Sequence, residues 1–142
     1  RDLDINLNTY IYKSAKKNNT IIFHNSLNNS KIGILKKKGI ILMKSKLDNQ
    51  ERFNLKIVYK KLYTIGIRNL LIEGGDKLTR NILDNRLINQ FYLFKTSTNL
   101  SKIKKYKTFT SNYILKKKYK IKSKIISNLA KDNITIYKRL DV

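Results

Sequence analysis

The chain has 142 residues, the size of one ordinary domain. It contains no cysteine and one histidine, His24, which excludes disulfides and cysteine nucleophiles and disfavours a histidine-built metal site or a Ser-His-Asp triad. The net charge of +23 would suit a polyanion such as nucleic acid.

The charge has a second explanation in the composition. Lys, Asn, Ile and Tyr are abundant while Pro, Trp and Cys are absent, which is the residue set that A+T-rich codons encode. We therefore expect lysine to be spread over the surface and do not expect nucleic acid to be a partner. The sequence also lacks a run of about 18 apolar residues and a signal-peptide pattern, which predicts a cytoplasmic protein without a membrane partner.

The predicted elements begin with a short buried strand, Thr20 to Phe23, bounded by Asn-rich turns. A glycine-interrupted segment that ends at Gly39 leads into a second apolar strand, Ile40 to Met43. A helix is predicted next, with Gly66 at its C-terminal end. Its apolar face follows a three-to-four spacing and consists of Leu55, Val58, Leu62 and Ile65.

The middle of the chain predicts a strand, a helix and a strand. These are "RNLLIE" (68–73), "DKLTRNILDNRL" (76–87) and "INQFYLFK" (88–95). This order implies parallel crossovers and an α/β sheet. After a Lys-rich connection, period-two alternation predicts an antiparallel hairpin that joins Ile121–Ile126 with Ile134–Tyr137.

Gly74 and Gly75 lie between a predicted strand and a predicted helix. Free N–H groups and the dipole at a helix N-terminus favour an anion, and glycine lets the backbone approach a phosphate closely. A tight turn without a ligand is the alternative. The spacing matches neither the three-glycine dinucleotide fingerprint nor a P-loop, so those two classes are disfavoured.

Two carboxylates flank these glycines. Glu73 ends the predicted strand at the sheet edge where α/β proteins bind ligands, although a solvated charge or a partner for the helix N-terminus would explain it equally well. Asp76 is expected to satisfy amide donors at the helix start. Its charge would be unfavourable beside a phosphate unless it points away and Lys77 or Arg80 compensates.

Residues 65–94, "IGIRNLLIEGGDKLTRNILDNRLINQFYLF", resemble the reductase domain of the bifunctional riboflavin biosynthesis deaminase/reductase family, above all in the E-G-G-x-x-L spacing. The segments "LDINLNTYIYKSAKKNNTIIFHN" and "NLAKDNITIYKRL" also resemble this domain, so the resemblance covers nearly the whole chain. It implies a dihydrofolate-reductase-like α/β fold, with a mainly parallel central sheet, flanking helices and a C-terminal antiparallel hairpin. The family's A-P-K after the strand is "KTS" here, Lys95 to Ser97, which predicts a differently shaped loop.

The resemblance implies that NADPH is the cofactor and that its pyrophosphate meets the double-glycine turn. Glu73 falls on the family's substrate-side carboxylate. His24 and Asn25 fall where this fold commonly holds the adenosine 2′-phosphate, although the family more often has Thr there and a surface-loop histidine is the alternative. No proton donor is implied. The implied cofactor-contacting residues are Gly74, Gly75, Asp76, Lys77, Leu78, Thr79, Arg80, Asn81, His24 and Asn25.

The implied reaction is the NADPH-dependent reduction of 5-amino-6-(5-phosphoribosylamino)uracil, a phosphorylated small molecule, to its ribitylamino product, by an enzyme that is a homodimer when intact. The 142 residues contain no match to the strand, substrate-binding loop and helix that begin the family's reductase domain, or to its zinc-dependent deaminase domain. We therefore expect residues 1–142 to be the C-terminal part of a single reductase domain. Two alternatives stay open: a basic RNA-binding module, which would lack the usual RNA-binding motifs, and a dihydrofolate-reductase-like NADPH enzyme with another substrate.

Overall fold

The computed structural model describes residues 2–95, 109–126 and 133–140, and the chain divides into two compact units, Arg1–Asn69 and Leu70–Val142. The described helices are α1 (Tyr10–Lys13), α2 (Asn29–Lys37), α3 (Leu55–Thr64), α4 (Asp76–Asp84) and α5 (Asn112–Lys118). The described strands are β1 (Ile21–His24), β2 (Ile41–Lys44), β3 (Gln90–Lys95), β4 (Tyr119–Ile126) and β5 (Asn133–Arg139).

The first unit contains a parallel strand pair joined by a helix. β1 and β2 run parallel, with Ile21 opposite Ile41 and His24 opposite Lys44, and α2 connects them. Both predicted strands are confirmed, each displaced by one residue. A small core lies beneath the pair, and its buried members are Leu3, Ala15, Leu35 and Ile40.

The predicted helix before Gly66 is confirmed as α3, and both of its ends follow from local chemistry. The side chain of Asn54 caps the start by accepting hydrogen bonds from the backbone N–H groups of Lys56 and Ile57. At the end, Gly66 has a φ of +93°, and its N–H donates to the Tyr63 carbonyl at 3.0 Å. The left-handed conformation that closes this helix is one that glycine adopts without a steric cost.

The strand predicted over residues 68–73 is wrong. The structure has no strand there, and the side chains of Leu70 and Leu71 are 47% and 85% exposed. A strand needs a neighbour for its backbone N–H and C=O groups, and no described strand pairs with this segment. The apolar composition of this segment indicated burial, but Leu70 and Leu71 stay largely exposed. Glu73 therefore lies in an irregular segment and not at a strand end.

The second unit contains an antiparallel sheet in the order β3-β5-β4. Phe91 of β3 lies opposite Tyr137 of β5, which lies opposite Ile121 of β4. The predicted C-terminal hairpin is thereby confirmed, while five of the six residues of its turn "NLAKDN" and two of the three residues of "KTS" lie outside the described ranges. The buried residues that pack beside this sheet are Leu83, Ile114, Leu115 and Tyr119.

Two features of the second unit were not predicted. α5 occupies part of what the sequence indicated as a Lys-rich connection, and Lys118 at its end donates to the Asp84 carbonyl at 2.7 Å. α4 ends three residues before the predicted boundary because Arg86 takes a left-handed φ of 53° and closes the helix. Glycine usually fills such a position, so the sequence carried no stop signal there.

The parallel pair and the antiparallel hairpin confirm the predicted α/β fold class. Within the described ranges, no helix combines the length and the apolar character needed to cross a membrane.

Candidate functional site

The double-glycine turn leads directly into α4. Gly75 is the N-terminal cap of this helix, and as a glycine it has no side chain that could accept hydrogen bonds from the first amides. The first intrahelical bond runs from the Thr79 N–H to the Gly75 carbonyl at 3.1 Å. The amides of residues 76–78 therefore have no hydrogen-bond acceptor among the described residues, and they carry the positive end of the helix dipole.

The two glycines serve different purposes. A Cβ atom on Gly74 would lie 2.6 Å from Leu78 Cδ2, so packing within the chain explains why this residue is a glycine. A Cβ atom on Gly75 would meet nothing within 4 Å, and its φ of −69° is one that any residue adopts. Neither packing nor backbone conformation requires a glycine at position 75. The open space beside it borders the free amides of α4.

Asp76 makes contacts that differ from the prediction. Its carboxylate accepts hydrogen bonds from the Thr110 N–H at 3.2 Å and from the Thr110 hydroxyl at 2.8 Å, rather than from amides at the helix start. Arg80 donates to the same hydroxyl at 2.7 Å. The Thr110 hydroxyl, then the Thr110 N–H and the charge of Arg80, hold the pKa of Asp76 below its usual value. Arg80 thus places a compensating charge near the carboxylate, one of the conditions under which Asp76 could lie near a phosphate.

The remaining predicted residues of the turn differ in how free they are. The side chains of Glu73 and Lys77 are exposed and make no hydrogen bond to another described residue. The Thr79 hydroxyl donates to the Gly74 carbonyl at 3.2 Å, which closes the turn on itself. The side chain of Asn81 accepts a hydrogen bond from Asn85 at 3.1 Å, one turn further along the helix. Glu73 and Lys77 are thus the side chains that are available to a solute.

His24 belongs to the first unit, where it is the last residue of β1. Its side chain is only 4% exposed, so the alternative of a surface-loop histidine is wrong. Burial, and then the charge of Lys44, lower the pKa of His24, which favours the neutral imidazole at pH 7. Asn25, the next residue, is half-buried.

Ser45 was not singled out from the sequence. It directly follows β2, and its N–H donates to the His24 carbonyl at 2.8 Å. The Ser45 hydroxyl and His24 Nδ1 are both buried and have no hydrogen-bond partner within the described part of the chain. Burying a polar atom without a hydrogen-bond partner costs free energy. A hydrogen bond to a water molecule or to a ligand group would remove this cost at both atoms. Ser45 directly follows an apolar strand, and this position in the sequence could have indicated it as a candidate site residue.

Two further features lie outside this set. Among residues 2–95, 109–126 and 133–140, no group of three or more His, Cys, Asp or Glu side chains could hold a metal ion. A shallow depression on the first unit is lined by residues 3–7 and by Lys31, Ile34 and Leu35 of α2, and it contains none of the predicted site residues.

The family of this chain follows from a match over almost its whole length. The model of the RibD C-terminal domain matches residues 1–134. The chain belongs to the RibD C-terminal domain family. This membership confirms the resemblance to the reductase domain, and the match includes both the double-glycine turn and the end of β1.

A solved structure extends this result to the fold. The chain is similar to a pyrimidine reductase-like protein from Corynebacterium diphtheriae, with a TM-score of 0.71 and 13% sequence identity. The likeness covers 99% of this chain and 58% of the other, so the chain spans a little over half of that protein's length. At this identity the likeness establishes the dihydrofolate-reductase-type fold of a RibD C-terminal domain. No curated protein sequence matches the chain.

Proposed function

We propose that this RibD C-terminal domain is an NADPH-dependent reductase of riboflavin biosynthesis, which reduces 5-amino-6-(5-phosphoribosylamino)uracil to its ribitylamino product. Family membership supports the reductase assignment. The observation that carries the cofactor assignment is the open space at Gly75 beside the free amides of α4. The family resemblance assigns the cofactor pyrophosphate to this turn.

The residues present fit an anionic cofactor. The free amides and the dipole of α4 attract a phosphate, and the exposed Lys77 adds a positive charge next to them. Glycine at position 75 leaves room for the backbone to contact phosphate oxygens directly. When bound, NADPH supplies the hydride, and the task of these residues is to bind and orient its phosphates.

The resemblance also gives proposed roles to residues outside the turn. The carboxylate of Glu73 is exposed and would accept hydrogen bonds from the substrate. His24 and Asn25 stay proposed contacts of the adenosine 2′-phosphate. A buried neutral His24 would contribute a hydrogen bond there rather than a charge. The homodimer implied by the resemblance and the cytoplasmic location expected from the sequence belong to the same proposal.

A valine at position 75 tests the cofactor assignment. Gly75→Val places a branched side chain in the space that the phosphate needs, so NADPH affinity should fall more than tenfold, or about 1.4 kcal/mol. Gly33→Val is the matched control, because a Cβ there also meets nothing within 4 Å. Fluorescence titration with NADPH gives the affinities, and thermal unfolding checks the fold. Equal affinity of Gly75→Val and the parent at equal stability would contradict the assignment.

A second variant separates the substrate from the cofactor. Glu73→Gln removes the charge of the carboxylate and keeps its shape, so we expect nearly unchanged NADPH binding and a lower turnover number. Steady-state reduction of the aminouracil substrate measures the turnover. A loss of NADPH affinity in Glu73→Gln would move this residue from the substrate to the cofactor.

The RNA-binding alternative is tested by competition between two matrices. The positive charge is divided almost equally, with 15 Lys and Arg against 4 Asp and Glu in Arg1–Asn69 and 17 against 5 in Leu70–Val142. This division favours the explanation by composition. We expect retention on NADPH-agarose at a salt concentration that already elutes the chain from heparin, because counterion release makes polyanion binding steeply salt-dependent. The reverse order of elution would favour the RNA-binding module.

A further inference from the structure

We propose that Thr110 is a positioning residue that prepares the double-glycine turn for an anion by binding the carboxylate of Asp76. The identity of the anion as the cofactor pyrophosphate rests on the proposed function. Thr110 lies 34 positions from Asp76 in the sequence, and no sequence pattern links the two residues.

The geometry is a chain of charge-assisted hydrogen bonds. Arg80 Nη2 donates to Thr110 Oγ1 at 2.7 Å, and the same hydroxyl donates to Asp76 Oδ2 at 2.8 Å. The backbone N–H of Thr110 donates to the other carboxylate oxygen, Oδ1, at 3.2 Å. The hydroxyl thus links a guanidinium to a carboxylate, and both oxygens of Asp76 have a donor from Thr110.

The segment that carries Thr110 is anchored on both sides. The ring of Phe109 stacks on that of Phe91 in β3, with 5.9 Å between the ring centroids. Ser111, on the other side, is fully buried at the start of α5. Thr110 is itself exposed, but its backbone lies between two fixed neighbours. The position of its hydroxyl is therefore set by the fold of the second unit.

The hydrogen bonds from Thr110 keep the Asp76 carboxylate away from the free amides at the start of α4. Asp76 is the first residue of α4, and the positive end of the helix dipole attracts a carboxylate in the first turn toward the free amides. Such a contact would occupy the amides that a phosphate needs, and the negative charge would repel the phosphate. Because Thr110 supplies two donors and Arg80 a positive charge, Asp76 leaves those amides free. Without the Thr110 hydroxyl, the carboxylate becomes a competitor of the anion.

The test removes the hydroxyl of Thr110 and then, in a second variant, the charge of Asp76. Thr110→Val removes the hydroxyl at nearly constant shape and keeps the backbone N–H, whereas Thr110→Ser keeps the hydroxyl and is the matched control. Inorganic pyrophosphate and NADPH are titrated separately into the 142-residue chain. We expect Thr110→Val to weaken binding of both roughly three- to tenfold and Thr110→Ser to resemble the parent.

Neutralising Asp76 distinguishes positioning from a structural role. Asp76→Asn introduced into Thr110→Val should restore most of the lost affinity, because an uncharged side chain no longer repels the anion. Independently of any ligand, NMR titration of the Asp76 carboxyl should show a higher pKa in Thr110→Val than in the parent, since the hydrogen bond from the Thr110 hydroxyl is the largest cause of its lowered pKa.

Each outcome decides the proposal. Unchanged pyrophosphate binding in Thr110→Val, or a loss that Asp76→Asn does not restore, would overturn the role of Thr110. If the parent binds pyrophosphate in a Thr110-dependent way but does not bind NADPH, the role of Thr110 stands and the proposed function fails. If the parent binds neither, both are wrong.

Discussion

Gly74 determines how closely Leu78 approaches the turn. A Cβ atom at position 74 would lie 2.6 Å from Leu78 Cδ2 and 3.2 Å from Leu78 Cβ, so Gly74→Ala forces this side chain to move. We expect the free energy of unfolding to fall by about 1 kcal/mol, the low end for overpacking, because Leu78 is partly exposed and can shift. Denaturation in guanidinium chloride measures this change.

Two further variants make the interpretation of Gly74→Ala specific. Leu78→Ala in the Gly74→Ala background removes the 2.6 Å contact with Cδ2 and keeps the contact with Cβ, so Gly74→Ala should cost less stability in this background than in the parent. Gly75→Ala, where the added Cβ meets no atom within 4 Å, creates no such clash and should lower the free energy of unfolding less than Gly74→Ala does. If Gly74→Ala and Gly75→Ala unfold at the same denaturant concentration, packing against Leu78 does not explain the glycine.

His24 should make the free energy of unfolding depend on pH between about pH 7 and about pH 5. Its pKa is lowered from the usual 6.5 by burial and by Lys44. Above pH 6.5 the imidazole is mostly neutral in both the folded and the unfolded chain. As the pH falls from about 7 to about 5, the unfolded chain binds a proton that the folded chain resists, so the free energy of unfolding decreases.

Because the sequence has one histidine, a single substitution checks this attribution. Urea denaturation at several pH values should show the decrease in the parent and a nearly flat profile in His24→Gln over the same window. The carboxylates with lowered pKa values, Asp4, Asp48 and Asp76, titrate below it. A parent profile without a slope between pH 7 and pH 5 would contradict the burial of a neutral imidazole.

At the scale of the element, α3 depends on its first cap. The side chain of Asn54 accepts from the amides of Lys56 at 3.0 Å and Ile57 at 3.4 Å, and no residue of α3 is fully buried. Local bonds therefore account for an unusual share of its stability. Asn54→Ala should lower the free energy of unfolding by about 1 kcal/mol, while Asn54→Ser should keep most of it. Far-UV circular dichroism in urea distinguishes the two, and equal midpoints would contradict the role of the cap.

The elements that the sequence predicted correctly are those with a local signal. β1, β2 and α3 are bounded by Asn or Gly residues whose backbone role is visible in the letters themselves, and the hairpin follows from period-two alternation. α5 was missed because its two buried residues, Ile114 and Leu115, are adjacent and give no helical period. Residues 68–73 were assigned wrongly because apolar letters predict a buried strand only where a neighbouring strand exists.

At the scale of the whole molecule, the candidate site residues also separate into those with a local sequence signal and those without one. The turn of Gly74 and Gly75 was predictable because its position between an apolar segment and an amphipathic helix is a local property. Thr110 was not, because its link to Asp76 joins residues that only the folded second unit brings together. The buried hydroxyl of Ser45 beside His24 also depends on the pairing of β1 with β2. Sequence reasoning identified the double-glycine turn as a candidate and missed Thr110 and Ser45, whose partners are distant in the sequence.

The strand order of the second unit has a consequence for the synthesis of the chain on the ribosome. β5 is made last of the three strands, yet it lies in the middle of the sheet and holds both β3 and β4. Translation must reach Arg139 before the three strands can pair completely, while β1, α2 and β2 have emerged long before. A nascent chain arrested before Asn133 should therefore resist protease in its first unit and be cleaved in its second. Until the last strand arrives, β3 and β4 have no described strand to pair with, and unpaired strand edges of this kind favour aggregation.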